Sequence, residues 1–264
     1  MRAISLPFFP TVKVQPVKEQ RFQKSYLMQL FNQMSASYEG MNYLTSFGFS
    51  YLWRKQFLQP LPDQDTPVQV ADLMTGMGET WPHIFKKWKQ VQLTALDFSQ
   101  GMLQCAARRN ESAFGNQVHL LQEDALNSSL PAEQFDVVTC AFGLKTLDLA
   151  QMRALAKEIH RILKPNGTFT CVEVSEPSSS FLQAAYLPYI RYLIPALGYL
   201  FAREYTAYKM LGYYTKAFGN SKEAAEIFRA AGFSVTYQSF FKGCATGFIA
   251  LSRKTDEKDL PAKA

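Results

Sequence analysis

Apolar residues recur at steps of three and four across residues 22–34, at Phe22, Tyr26, Leu27, Leu30, Phe31 and Met34, and this period predicts an amphipathic helix. The next stretch, SASYEGMNYLTSFGFSYLWRKQFLQ, mixes aromatics with small residues and ends at Pro60-Leu-Pro-Asp. It reads as helical elements packed over the mouth of something larger. From residue 68 the rhythm changes. Val68–Leu73 is a strand, a glycine turn follows, and a helix runs to about Trp88. VQLTALDF is a second strand ending at Asp97, and Ser99 can cap a helix reaching about Arg109. VHLLQED is a third strand. FDVVTCAFG is a fourth, with the near-continuous apolar content of strands buried on both faces. Met152, Leu155, Ala156, Ile159, Ile162 and Leu163 mark a further helix, which Lys164-Pro-Asn-Gly167 stops, and TFTCVEV is a fifth strand. Asn220 or Ser221 caps a helix through Ala231, and GFSVTYQSFFKGCATGFIALSRK then forms two strands joined by a glycine-containing turn. Strands alternating with helices predict an α/β fold, a parallel sheet with helices on both faces.

Residues 181–202, FLQAAYLPYIRYLIPALGYLFA, are the most apolar stretch and just long enough to span a bilayer. Arg191 at the centre, with Pro188 and Pro195 inside, favours a lid or interfacial helix over a spanning one. A helical insertion packed into the core is the plainer reading. The expected organisation is an extended arm over 1–20, one domain over 21–254 and a disordered tail over 255–264. Within the domain, 21–60 is a helical cap and 178–219 a helical lid insertion. The N-terminus lacks a continuous apolar core and a cleavage site, which argues against a secretory signal.

Composition narrows the class. The chain has 264 residues, 47% hydrophobic and 19% charged, as ordinary globular domains do. Its charge of +6 is modest and no dense basic run appears, so nucleic acid is not the expected partner. A mildly basic face suits an anionic membrane or an acidic ligand. Cys105, Cys140, Cys171 and Cys244 are widely separated, as buried reduced thiols of a cytoplasmic protein are. His83, His119 and His160 are equally scattered, so no metal site is expected.

The chemistry gathers at ADLMTGMGET. Gly76 and Gly78 at a strand-to-helix turn let backbone approach a ligand, although a tight connection that binds nothing would also use them. Asp97 ends the second strand, 25 residues after Asp72, where nucleotide-binding α/β folds place a carboxylate against ribose hydroxyls. Asp124 ends the third, where it could face an adenine amino group. The alternative for all three is capping in loops. A dinucleotide fingerprint would need a third small residue, but Trp81 and Pro82 stand there. Asp72 beside the turn would repel a pyrophosphate and suit a cationic amino-acid group. S-adenosylmethionine, with an ammonium, a sulfonium and no phosphate, fits this charge pattern better than NAD.

These motifs resemble those of class I S-adenosylmethionine-dependent methyltransferases, with their Rossmann-like, mostly parallel sheet and antiparallel C-terminal strand. More closely, they resemble the ubiquinone/menaquinone C-methyltransferase (UbiE-type) family from about Phe31 to Lys254. FNQMSASYEGMNYLTSFGFSYLWRK is similar to its N-terminal signature, ADLMTGMGET to its D-x-x-x-G-x-G loop, ALDFSQGML to its acidic motif, FDVVTCAFGLKTL to its Phe-Gly-Leu segment and RILKPNG to its Leu-Lys-Pro turn. The resemblance implies S-adenosylmethionine as cofactor, with contacts at Asp72, Gly76, Met77, Gly78, Asp97, Phe98, Asp124, Ala125 and Ala141. It departs where the family has Arg-Asn after Phe-Gly-Leu; here stand Lys145-Thr146, and Glu39 replaces an Asp. Lysine keeps the charge but loses the planar fork.

The implied reaction is methyl transfer to a hydrophobic aromatic small molecule, C-methylation of a quinol or phenol first. Ionising a ring hydroxyl makes the neighbouring carbon nucleophilic. Lys145 could stabilise that phenolate, and Tyr38, Asn42 or Tyr208 could orient the ring. The plainer readings are a solvated cation for Lys145 and core packing for the tyrosines. An O- or N-methyltransferase of specialised metabolism stays open, as does a methyltransferase fold acting as a cyclase or non-catalytic partner. A peripheral membrane contact and a homodimer are compatible with each.

Overall fold

Val68–Leu73 (β1) carries apolar residues on both faces because it lies at the centre of the sheet, with β2 (Val91–Asp97) on one side and β4 (Phe135–Ala141) on the other. The structure, a computed structural model, describes residues 21–35, 46–177, 179, 182–184, 188–193 and 205–253. The expected arm 1–20, the tail 255–264 and most of the apolar stretch 181–202 fall outside them.

The sheet has seven strands in the order β3-β2-β1-β4-β5-β7-β6, completed by β3 (Val118–Gln122), β5 (Leu163–Val174), β6 (Phe233–Phe240) and β7 (Ala245–Ser252). The pairs from β3 to β5 are parallel, and β7 runs antiparallel to both neighbours. The α/β expectation is met, including the antiparallel C-terminal strand.

The described long helices are α1 (Lys24–Met34), α2 (Phe49–Gln56), α3 (Trp81–Lys87), α4 (Gln100–Phe114), α5 (Leu149–Ile162), α6 (Tyr205–Phe218) and α7 (Lys222–Ala230). One face of the sheet packs Leu155, Ile159 and Phe228 of α5 and α7 on Val138, Phe169 and Phe248. The other packs Trp53 and Phe57 with Trp81, Ile84 and Trp88 on Val70, Leu93 and Val137. Leu27, Leu30 and Met34 of α1 meet Met210 and Tyr214 of α6 in a third cluster.

Several boundaries differ from those expected: β3 ends at Gln122 rather than Asp124, and β4 at Ala141 rather than Gly143. The helix starting at Ser99 runs five residues past Arg109, to Phe114. Its Asn110 faces inward, where the amide nitrogen donates to Val118 O (2.8 Å) and the amide oxygen accepts from Val118 N (3.1 Å). A polar residue that resembles a breaker is thus a lock between α4 and β3. The fifth strand begins at Leu163, not Thr168, because Leu163 already pairs with Phe135. The Lys164-Pro-Asn-Gly turn is an irregularity within the strand, with Asn166 at φ 59. α5 begins at the reciprocal capping pair of Asp148 and Gln151.

Candidate active site

Strand order reverses between β1 and β4, and open α/β sheets bind ligands in the crevice outside such a reversal. β1 leads into a turn with Met74 at φ 53, Gly76 at φ 59 and Gly78 at φ 78. Gly78 is fixed by packing as well: a β-carbon there would lie 2.6 Å from the Trp81 ring. The turn is held by Asp97. One carboxylate oxygen accepts from Gly76 N (2.9 Å) and the other from Ser99 N (2.8 Å). Burial pushes the Asp97 carboxyl up to about 6, the two backbone bonds pull it down, and Asp72 and Glu79 add repulsion. Each oxygen keeps a further lone pair for a ribose hydroxyl.

Asp72 does not reach the crevice surface as expected. It is 1% exposed, and its oxygens accept from the hydroxyls of Thr75 (2.5 Å) and Thr139 (2.6 Å). Trp81 Nε1 donates in turn to Thr75 Oγ1 (2.8 Å). Burial raises its carboxyl to about 6 against these hydrogen bonds. The central position of β1 turns this side chain into the body of the protein, so Asp72 braces the turn from behind. Asp124 lies two residues past β3, where it accepts from Leu126 N (3.0 Å) and pairs with Lys24 of α1 (3.0 Å). Ala125 beside it is buried.

The crevice wall includes Thr75, Gly76, Asp97 and Phe98 from the ends of β1 and β2, and Ala141, Phe142, Gly143 and Thr146 from the end of β4 and the turn after it. Phe31, Arg54, Met74, Glu79 and Met102 complete it. Its volume is about 50 Å³, below the roughly 300 Å³ of ordinary ligand pockets. Of the residues expected from sequence, Gly76, Asp97, Phe98 and Ala141 line it. Met77 lies in a hollow with Pro82, Cys105 and Arg108. Arg54 and Glu79 are singled out by no local pattern in the sequence; their meeting across 25 positions is a product of the fold.

Lys145 is neither a solvated cation nor a free counter-charge. It is 5% exposed in a short 3₁₀ turn, Leu144–Thr146. Its ammonium donates to Glu173 Oε1 (2.7 Å) and to Phe142 O (2.8 Å), and its backbone N to Glu173 Oε2 (3.1 Å). Phe142, whose carbonyl it grips, stands at φ 65. Lys145 therefore joins the buried Glu173 carboxylate to the Phe142 carbonyl at the crevice wall. Tyr38 and Asn42 lie outside the described residues, as does the side chain of Tyr208 in α6.

This sheet order, with the cradle at its reversal, defines the Rossmann-like methyltransferase class. A S-adenosylmethionine-dependent methyltransferase of Thermotoga maritima shares the fold (TM-score 0.59, 19% identity, covering 86% of this chain and all of that one). So does Haemonchus contortus phosphoethanolamine N-methyltransferase 2, solved with S-adenosylhomocysteine (TM-score 0.57, 14% identity, 85% of this chain and 60% of that one). The chain belongs to the ubiE/COQ5 methyltransferase family, whose model matches residues 15–252. Demethylmenaquinone methyltransferases from Listeria welshimeri (30% identity over 240 residues, 90% of this chain and 98% of that one) and Lactococcus lactis (32% over 241, 90% and 92%) are similar along nearly their whole length. The chain is accordingly an enzyme that uses S-adenosylmethionine. Its crevice suits that group: Asp97 offers acceptors to a ribose, the surrounding carboxylates favour positive charge, and the buried Arg54 Nε has no hydrogen-bond partner among the described residues.

Proposed function

We propose that the enzyme methylates a ring carbon of a lipophilic quinol. The observation that carries this reading is similarity to demethylmenaquinone methyltransferases over nine-tenths of the chain. The apolar side chains of Phe31, Met74, Phe98, Met102 and Phe142 around the crevice agree with a greasy acceptor held away from water. The cofactor supplies an electrophilic methyl group on a sulfonium. The chain's own part is to hold the nucleoside at Asp97 and Gly76 and to bring the acceptor carbon to roughly 3–3.5 Å. Tyr38, Asn42 and Tyr208 are the proposed residues for orienting the ring. Lys145 acts indirectly, since its charge is taken up by Glu173. The insertion 178–219 serves as the lid.

The test is labelled-methyl transfer to demethylmenaquinol and to a panel of phenols. Label on a ring carbon is expected. Label on oxygen or nitrogen would replace this reading with a tailoring methyltransferase, and conversion without label would replace it with a cyclase.

A lipophilic acceptor also calls for contact with the bilayer that holds it. Phe47 (75% exposed), Tyr51, Leu52, Tyr192, Leu193 and Phe241 present large apolar surface. Two ring contacts tie parts of this surface together: Phe47 stacks on Tyr189 (5.6 Å), and Phe49 links α2 to Phe241 (4.5 Å). Lys55, Lys86 and Lys242 border it, and the first two lie close enough to His83, under Tyr51, to help lower its pKa to about 4, behind burial and Arg54. Aromatics edged by lysines suit an anionic lipid surface. Among the described residues no helix is long and apolar enough to cross a membrane. The enzyme is expected to sediment with phosphatidylcholine vesicles containing phosphatidylglycerol, less so in high salt or as a Phe47→Ser, Phe241→Ser double variant. Unchanged sedimentation of that variant would reject this face, and concentration-dependent self-association abolished by the same changes would assign it to a homodimer.

A further inference from the structure

We infer that Arg54 and Glu79 recognise the amino-acid end of the cofactor, Arg54 its carboxylate and Glu79 its ammonium. This rests on the cofactor occupying the crevice at Asp97. The carboxylate that the sequence offers for the ammonium, Asp72, is 1% exposed, accepts from two threonine hydroxyls and does not line the crevice. The two remaining charged side chains of the crevice wall, apart from Asp97, are Arg54 and Glu79.

Their geometry is that of a pair awaiting a ligand. Arg54 is 6% exposed, yet its hydrogen bonds are long: 3.4 Å from Nη2 to Glu79 Oε1 and 3.5 Å from Nη1 to Ser50 O. Its buried Nε has no partner among the described residues. A buried guanidinium left this poorly satisfied is costly unless something else completes it. Its Cζ lies over the Phe142 ring, 4.6 Å from the centroid, and its unpartnered Nε marks an edge of N–H groups available to a ligand. That edge matches a carboxylate, which accepts two parallel hydrogen bonds.

Glu79 closes the other half. It is part-buried and accepts from Met77 N (3.3 Å) through Oε2. The nearest heavy atom that a β-carbon at Gly76 would meet is that same oxygen, at 3.5 Å, so the glycine keeps the space beside the carboxylate clear. An α-amino acid carries both charges on one carbon. Inserting it between Arg54 and Glu79 replaces one stretched ion pair with two, and the total charge of the site is unchanged. A phosphate in this place would gain Arg54 but meet Glu79 and Asp97 as like charges, which sets the selectivity against nucleotides.

The test compares two ligands by calorimetry: S-adenosylhomocysteine, and 5′-methylthioadenosine, which keeps the nucleoside and sulfur but lacks the amino-acid end. Arg54→Gln and Glu79→Gln should each weaken S-adenosylhomocysteine by roughly 10- to 100-fold, in line with lost hydrogen bonds between charged groups, and leave 5′-methylthioadenosine unchanged. Retained binding of the second ligand shows that the variants fold. Arg54→Lys, the milder change, should fall between wild type and Arg54→Gln. Unchanged S-adenosylhomocysteine affinity, or equal weakening of both ligands, would overturn the assignment. If instead the wild-type enzyme binds neither ligand in a manner sensitive to Asp97→Ala, the placement of the cofactor itself is wrong, a result distinct from the failure of Arg54 and Glu79.

Discussion

Lys145→Met should destabilise the enzyme by about 3–5 kcal/mol, the usual effect of removing one member of a buried ion pair. Glu173 is fully buried at the end of β5, and after the substitution it would keep only the backbone N–H groups of Lys145 and Val174. The Phe142 carbonyl would lose its ammonium donor at the same time. Urea denaturation measures the loss directly. Replacing both residues with apolar ones, Lys145→Met with Glu173→Leu, should be less destabilising than the sum of the single changes, because no unpaired charge stays behind. Turnover should fall in step with the displacement of Phe142. A Lys145→Met enzyme of unaltered stability and reduced turnover would return Lys145 to direct contact with the acceptor.

The second large effect concerns the cofactor. Asp97→Ala should weaken its binding by about 1–3 kcal/mol, roughly 5- to 150-fold, through lost ribose hydrogen bonds. The substitution also frees Gly76 N and Ser99 N, so the glycine turn loosens with it. The same carboxyl predicts a pH dependence. It titrates near 6 in the folded protein, and its ionised form is the better acceptor, so affinity is fully present above that value and declines as pH falls through it. Calorimetry from about pH 5 to 8 on wild type and Asp97→Asn checks both points. The wild type should lose affinity toward the acid end. The asparagine variant should show a smaller step, because Asp72 behind the turn is raised to about 6 as well, and an identical profile in both would place the titrating group elsewhere.

What was legible in the sequence is what local pattern and short spacing encode. β1 spans the same residues, Val68–Leu73, that its apolar run suggests, and Ser99 caps α4 as its position implies, accepting from Met102 N. Asp97 and Gly76 meet where a strand tip and a glycine turn should. The rest depends on partners far along the chain. Asp72 is sealed by Thr139, 67 residues away, and Lys145 is neutralised by Glu173, 28 residues away. Nothing near either residue announces its partner, and the register between β1, β4 and β5 is what brings them together. The helix α4 continues past Arg109 for a related reason, through Asn110. In isolation asparagine is a weak helix former, but its amide satisfies the backbone of Val118, and that bond outweighs the propensity.

Phe142 adopts a backbone conformation that glycine or asparagine would occupy with far less strain, about 1–3 kcal/mol for a side chain of this kind. Met74, which packs against Gly143 next to Phe142, does the same. The enzyme thus tolerates distortion at two points of the crevice wall, and at Phe142 the return is an aromatic floor beneath the guanidinium of Arg54. A more relaxed main chain at that position would make a sturdier protein with a blunter instrument.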